Sequence, residues 1–311
     1  VIGDLIVDEY IICDALGMSQ EDPTIVVAPS SSSFFIGGAG IVAAHASGMG
    51  AQATLYSISG DDELSAYAKE KIESYGVAAK LFSDPSRPTT KKQRFRTENK
   101  THLRVNYLKQ HDIDLALQKK IFGEIEPALE NVDLVIFSDF SYGCLPQSLV
   151  QQISQACKKR GISMVADSQS SSQIGDISRF KEMLLLKPTE REARLATRDF
   201  GSGLVVLAEK LKKIAKPRNI LLTLGSEGLL ICHGTDPSGD NTTDRIPALN
   251  NYPKDPAGAG DSLLVSAAMS LAVGADIWSA AYIASLVSAT QVSRIGNVPI
   301  TADELLKIIS V

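Results

Sequence analysis

The sequence has 311 residues, 44% of them hydrophobic and 22% charged, with a formal net charge of −5. Those values fit a soluble globular chain with a large core, read as a single domain over 1–311 with lid insertions, and argue against a general nucleic-acid binder. Cys13, Cys144, Cys157 and Cys232 are scattered with no CxxC pair, which fits reduced thiols in a cytoplasmic protein better than a disulfide framework or a zinc site. No apolar run reaches the roughly 18 residues of a membrane span, and no signal peptide is visible. The chain opens on a strand-like Val1-Ile2-Gly3-Asp4, so some residues are expected to precede it.

In chain order, short apolar runs at Leu55–Ile58, Leu134–Phe137, Ile162–Ala166, Met183–Leu186, Ile220–Leu224 and Leu229–Cys232 read as buried parallel strands. Amphipathic stretches such as Ser65–Tyr75, Gln147–Lys159 and Gly203–Ala215 alternate with them. This pattern predicts an α/β sandwich with a mostly parallel sheet. Polar residues follow four of the strands: Ser138-Asp139, Asp167-Ser168, Lys187-Pro188-Thr189 and Thr223-Leu224-Gly225. Ligands of open α/β sheets bind outside the carboxyl ends of the strands, so the four together point to one crevice.

Two segments break the alternation and are expected to form a small β-sheet lid, at approximately 11–30 and 86–106. The first holds short strand-like pieces, Tyr10–Cys13 and Thr24–Ala28. The second reads as a hairpin over 89–107 that turns near Glu98-Asn99-Lys100, with Lys92, Arg94 and Arg96 on one face by period two. Its cationic face suits a phosphorylated substrate and equally suits an exposed edge strand guarded by charge. Between these segments, Phe34-Phe35-Ile36-Gly37-Gly38-Ala39-Gly40 leads into an Ala-rich helix, Ile41–Gly48. It lacks the spacing of a dinucleotide fingerprint. His45, His102, His111 and His233 lack metal-ligand spacing, and Tyr142 and Trp278 read as packing residues.

The richest stretch is Asp255-Pro-Ala-Gly-Ala-Gly-Asp261 and the apolar run after it. Two glycines, a helix start and one carboxylate coincide there, an arrangement suited to a phosphate at the helix N-terminus with Asp261 accepting a hydroxyl proton. On local residues alone, a plain Gly-rich loop into a buried helix fits equally well. Two helices are expected from it onward, Ala257–Val273 and Ile277–Ser293.

Over nearly its whole length the chain resembles the ribokinase-like (PfkB) carbohydrate kinases. The resemblance rests on 255–261, on Gly3-Asp4, Asp8 and Gly37-Gly38-Ala39, on Gly60-Asp61-Asp62, on Lys187-Pro-Thr-Glu-Arg-Glu192 and on Thr223-Leu-Gly-Ser-Glu-Gly228. Gly3-Asp4-x-x-x-Asp8, Pro88-Thr-x-x-Lys92-x-Arg94 and Ser138-Asp139-x-x-x-Gly143 bring it nearest to the branch that phosphorylates heptose 7-phosphate for ADP-heptose synthesis. The resemblance implies a three-layer αβα sandwich, ATP and Mg²⁺, a monovalent cation as an open question, and a homodimer through the lid. It implies transfer of a γ-phosphoryl group to a hydroxyl of a sugar or sugar phosphate. Asp261 would be the base and Gly258, Ala259 and Gly260 the anion hole. Lys187, Thr189, Glu192, Thr223, Gly225 and Gly228 would serve the nucleotide, with Glu192 reaching Mg²⁺ through water. Asp4, Asp8, Gly37, Gly38, Lys92, Arg94, Arg104 and Asp139 would serve the acceptor. Departures are Ile41 and Thr189 where the family carries Asn, Ala257 for its Thr, and Tyr142 and Gln169 where the heptose branch carries Lys. They favour an active kinase of altered specificity. A nucleoside kinase and a non-catalytic binding member remain the alternative readings.

Overall fold

The computed structural model describes residues 1–98, 100–170, 174–234 and 242–309. In chain order the first half comprises β1 (Ile2–Gly3), β2 (Leu5–Met18), β3 (Ile25–Gly38), α1 (Ala39–Gly48), β4 (Thr54–Ser59), α2 (Glu63–Ser74), β5 (Ala78–Ser83), β6 (Lys91–Thr97), β7 (Lys100–Tyr107), α3 (Leu115–Ala128), β8 (Leu134–Asp139) and α4 (Gln147–Arg160). The second half comprises β9 (Ser163–Ser168), β10 (Leu185–Leu186), α5 (Glu190–Thr197), α6 (Leu204–Ala215), β11 (Asn219–Thr223), β12 (Leu229–His233), β13 (Thr242–Ile246), α7 (Ala259–Ala272), α8 (Ile277–Gln291) and α9 (Ala302–Ile309).

Among the described residues the large sheet runs β13-β12-β11-β10-β9-β8-β1-β4-β5, and it is parallel from β5 through β11. Period-two alternation sorts its side chains into two layers. Ile136, Val165 and Leu221 pack toward α1, α7 and α8, while Val135, Phe137, Met164, Ile220 and Leu222 pack toward α3, α4 and α6. Burying each such side chain contributes about 1.5–3 kcal/mol, so the two layers hold the sheet edge-on and leave its carboxyl ends open. Ile2 of β1 stands opposite Tyr56 of β4 on one side and Phe137 of β8 on the other. Strand order therefore reverses at β1, which places a crevice at its carboxyl end.

The small sheet runs β3-β2-β6-β7. β2 pairs with β6 in parallel, Asp8 opposite Lys92 and Tyr10 opposite Arg94, and β6 pairs with β7 antiparallel, Lys92 opposite Asn106 and Arg94 opposite Arg104. Paired residues share a face, so one surface of this sheet carries these side chains together.

Three sequence expectations change. The run at 229–232 is a strand, but β12 is antiparallel to β11, because the tight turn at Gly225–Glu227 is too short for the crossover a parallel pair needs. The short pieces expected near 10–13 and 24–28 belong to two continuous 14-residue strands, β2 and β3. Their outer halves are exposed, so the apolar alternation that marks a half-buried strand is missing there. Two helices were expected after the 255–261 stretch; a third, α9, follows them, short and without a fully buried residue. Of the expected hairpin turn, Asn99 lies outside the described residues. No helix among the described residues is long and apolar enough to cross a membrane.

Candidate active site

A cleft of about 1180 Å³ opens where the carboxyl ends of the large sheet meet the charged face of the small one. Its floor is the start of α7. Gly258 caps this helix with φ +77°, in the left-handed region, and a Cβ there would stand 2.3 Å from Asn297 Oδ1. Only glycine lets the chain turn into the helix over that side chain. Ala259 N–H makes a long 3.4 Å contact to Pro256 O, and the amides of the first turn carry the positive end of the helix. A Cβ on Gly260 would lie 2.9 Å from Lys187 Nζ, so the ammonium sits directly over that turn.

Asp261 is 6% exposed and accepts a 3.2 Å hydrogen bond from Gln169 Nε2. Burial lifts its pKa to about 6; Lys187 and Lys92 oppose the rise and Asp8 adds to it. Lys187 Nζ is 2.9 Å from Asp167 Oδ2, both groups buried. Burial works against the ammonium, but the Asp167, Glu192 and Asp261 carboxylates outweigh it and hold the Lys187 pKa above the usual lysine value. Asp167 is itself pushed up to about 7, first by burial, with Lys187 pulling the other way.

Thr189 and Glu192 start α5 as a capping box: Glu192 N–H donates to Thr189 Oγ1 at 3.2 Å and Thr189 N–H to Glu192 Oε2 at 2.8 Å. Glu192 Oε1 accepts from Ser170 N–H at 2.9 Å. Thr at 189 therefore preserves the cap that an Asn would make. Glu192 is fixed beside Asp167, whose Oδ2 faces the Lys187 ammonium at 2.9 Å and whose Oδ1 is buried without a hydrogen-bond partner among the described residues. Two hard carboxylate donors of this kind fit Mg²⁺. The sequence places Asp167 only among the polar strand ends that point to the crevice and assigns it no role; its position at the end of β9 is the signal.

Thr223, Gly225 and Gly228 line the opposite arm of the cleft with the apolar Leu249 and Val292. Thr223 N–H donates to Pro188 O at 2.9 Å, tying β11 to the start of α5. Gly228 has φ +93°, and a Cβ there would be 2.0 Å from Ile246 O. Its role in the geometry is to let β13 cross closely.

At the end of the cleft under the small sheet the structure brings Asp8, Gly38, Lys92, Arg94 and Arg104 into the wall. Gly37 lies behind them, where a Cβ would meet Asp8 Oδ2 at 2.5 Å. Arg94 donates to Asp8 Oδ1 from Nη2 at 3.0 Å and from Nε at 3.2 Å, so this cation is already partnered. Lys92 lies 5.0 and 5.1 Å from the ring centres of Phe140 and Tyr142. Neither Lys92 nor Arg104 pairs with a carboxylate among the described residues.

Asp4 and Asp139 do not line the cleft. Asp4 accepts from the backbone amides of Phe140, Tyr142 and Cys144 at 2.8, 3.3 and 3.2 Å. Asp139 accepts from Ser141 N–H and Ser168 Oγ and pairs with Arg179 at 2.9 Å. Both shape the turn after β8 instead of facing a ligand. Ile41 is fully buried and likewise contributes nothing to the wall. Asn297 does line it: the residue is 4% exposed, and Oδ1 is buried with no hydrogen-bond partner among the described residues. No motif in the sequence marked it.

Asp255 is the remaining anchor. Its Oδ2 accepts from Tyr10 Oη at 2.7 Å, Arg96 Nη1 at 3.2 Å and Gly296 N–H at 3.0 Å, and its Oδ1 from Ala257 N–H at 3.1 Å. Burial alone would raise its pKa, but these donors hold it below the usual carboxylate range. Arg96 was grouped with the basic face by its period. It does share that face, yet it is spent on Asp255.

The family model for "pfkB family carbohydrate kinase" matches residues 1–302. The bifunctional protein HldE of Bradyrhizobium diazoefficiens is 29% identical over 310 residues, covering 98% of this chain and 61% of its own length. The chain thus spans less than two thirds of that curated relative. In fold it is similar to phosphofructokinase-2 of Escherichia coli in complex with potassium (TM-score 0.76, 15% identity, 100% of this chain and 98% of that one). It is similar also to Arabidopsis thaliana ribokinase complexed with ribose and ATP (TM-score 0.76, 16% identity, 100% and 97%). The α/β fold is ribokinase-like, and the chain belongs to the pfkB family of carbohydrate kinases, phosphotransferases that use ATP and a divalent metal.

Proposed function

We propose that the chain transfers the γ-phosphoryl group of ATP to a hydroxyl of a sugar phosphate related to heptose phosphate, with Asp261 as the base. The observation that carries this is one buried carboxylate beside Lys187 at a glycine-lined helix start. Phosphoryl transfer is mostly positioning and charge stabilisation. A pKa of about 6 leaves Asp261 ionised at neutral pH and stronger as a base than an ordinary carboxylate. The amides of Gly258, Ala259 and Gly260 meet charge on the transferring group, and Lys187 accompanies it. Bound Mg²⁺ would supply charge neutralisation on the phosphates, with Asp167 and Glu192 as its carboxylates, Glu192 through water. The wall of Thr223, Gly225, Leu249 and Val292 takes the nucleotide, and Asn297 supplies a hydroxyl contact that Ile41 cannot. The acceptor's own phosphate meets Lys92 and Arg104, since Arg94 is engaged by Asp8. Four buried thiols suit a reducing compartment such as the cytoplasm. A phosphorylation screen over sugars, heptose phosphates and nucleosides with Mg-ATP tests the reading; turnover of nucleosides alone would replace it.

Four outcomes are expected. Asp261→Asn loses turnover while ATP binding by calorimetry persists, and it raises the melting temperature. A carboxyl whose pKa rises on folding destabilises the fold when ionised, by about 1.4 kcal/mol per unit; unchanged turnover would refute the base assignment. The acid limb of the kcat/KM profile falls near pH 6, because the base must be deprotonated. Gln169→Lys moves that limb to lower pH, since an ammonium in place of the amide favours the carboxylate; an unmoved limb counts against Asp261. Arg104→Ala and Lys92→Ala each raise KM for a phosphorylated acceptor by about tenfold, 1.4 kcal/mol, with KM for ATP unchanged. Equal effects on both substrates would remove the phosphate role. Finally, Leu16, Met18 and Ile25 at the outer end of β2 and β3 are 65, 61 and 56% exposed, with Met18 directly opposite Ile25. Such a patch supports a homodimer through the lid; a monomeric mass by sedimentation would reject it.

A further inference from the structure

The loop that carries the anion hole rests on two backbone carbonyls, Ala257 O and Gly296 O, which converge beneath it. Converging carbonyls repel one another and need a cation or a hydrogen-bond donor between them. Here the donor comes from the last residue of α8. Gln291 is fully buried, and its Nε2 donates to Gly296 O at 3.0 Å and Ala257 O at 3.4 Å. Arg294 Nη2 donates to Gln291 Oε1 at 3.4 Å, which fixes the amide with nitrogen toward the carbonyls. A Cβ on Gly258 would lie 3.3 Å from the same nitrogen, so the amide sits directly under the helix cap. The nearby carboxylate, Asp255, is balanced by Arg96 and three further donors. It retains no charge that calls for a metal.

We propose that Gln291 is a positioning residue that takes the place of a monovalent cation beneath the anion hole, so that this chain works without potassium. A neighbour of the same fold has been crystallised with potassium; in this chain the two carbonyl oxygens beneath the loop are already met by a neutral amide. The amide ties Ala257 and Gly296 together and keeps the Gly258–Gly260 amides aimed into the cleft. Gln291→Ala removes the donor and leaves a hole lined by two carbonyl oxygens, which suits a weakly hydrated cation. Gln291→Met removes the donor but fills the hole.

The test compares potassium chloride with tetramethylammonium chloride at constant ionic strength, reading both turnover and melting temperature. The kinetic arm rests on the phosphoryl-transfer reading; the melting arm does not, so the two can fail separately. For the unaltered protein both readouts are expected to be the same in the two salts, within about twofold for rate. Gln291→Ala is expected to lose about 10–100-fold in kcat with little change in KM for ATP. Potassium, but not tetramethylammonium, restores part of that rate and raises its melting temperature. Gln291→Met loses rate with no potassium response, and if Gln291→Ala does not fold, this variant and the unaltered protein carry the test. Potassium-dependent turnover or melting of the unaltered protein would overturn the proposal, as would Gln291→Met with full activity.

Discussion

The buried carboxylate of Asp255 is the constraint on which the cleft depends. Tyr10 and Arg96 reach it from the small sheet, and the Ala257 and Gly296 amides reach it from the loops before α7 and after α8. A carboxylate this deep is tolerated only when its lone pairs are filled. Losing the donors of the small sheet or those of the two loops would leave an uncompensated charge. The same contacts therefore lock the small sheet to the loop and fix the direction in which the helix start points. Preorganisation of this kind matters for phosphoryl transfer, where aligned dipoles act without reorganising during the reaction.

Around that anchor the cleft balances charge tightly. Lys187 serves the carboxylates Asp167, Glu192 and Asp261 at once. Burial raises Asp4 and Asp261 to about 6 and Asp167 to about 7. A native state that binds more protons than the unfolded chain loses stability as pH rises from the ordinary carboxylate range through these values. Folding energy is thus traded for reactive groups, as is common at functional sites. Asp4 belongs to a different category, since its three backbone donors shape the turn after β8.

Much of this was legible in the amino-acid order. Apolar runs marked β4, β8, β9 and β11, and the helix of 147–160 differs from its expected span by one residue at its end. Gly258, Gly260 and Asp261 read as a turn into a buried helix because glycine spacing before a helix is a local signal. What escaped lacked such a signal. Asn297 and Gln291 are single amides in segments with no motif. Asp4 and Asp8 stand four apart and look alike in sequence, yet one faces backbone amides and the other Arg94. The antiparallel turn to β12 depends on loop length between two strands that look equally buried.

Local chemistry in the chain determined the alternation of strands and helices, the family and the glycine-lined loop that starts α7, because those follow from periodicity and residues adjacent in order. Only the tertiary structure decided which cations stay available. Arg94 and Arg96 share a face with Lys92, but Asp8 and Asp255 claim them across 86 and 159 residues of chain. Likewise only the fold showed Gln291 beneath Gly258. Ion pairs and hydrogen bonds form between groups brought together in space, and sequence separation places no limit on that.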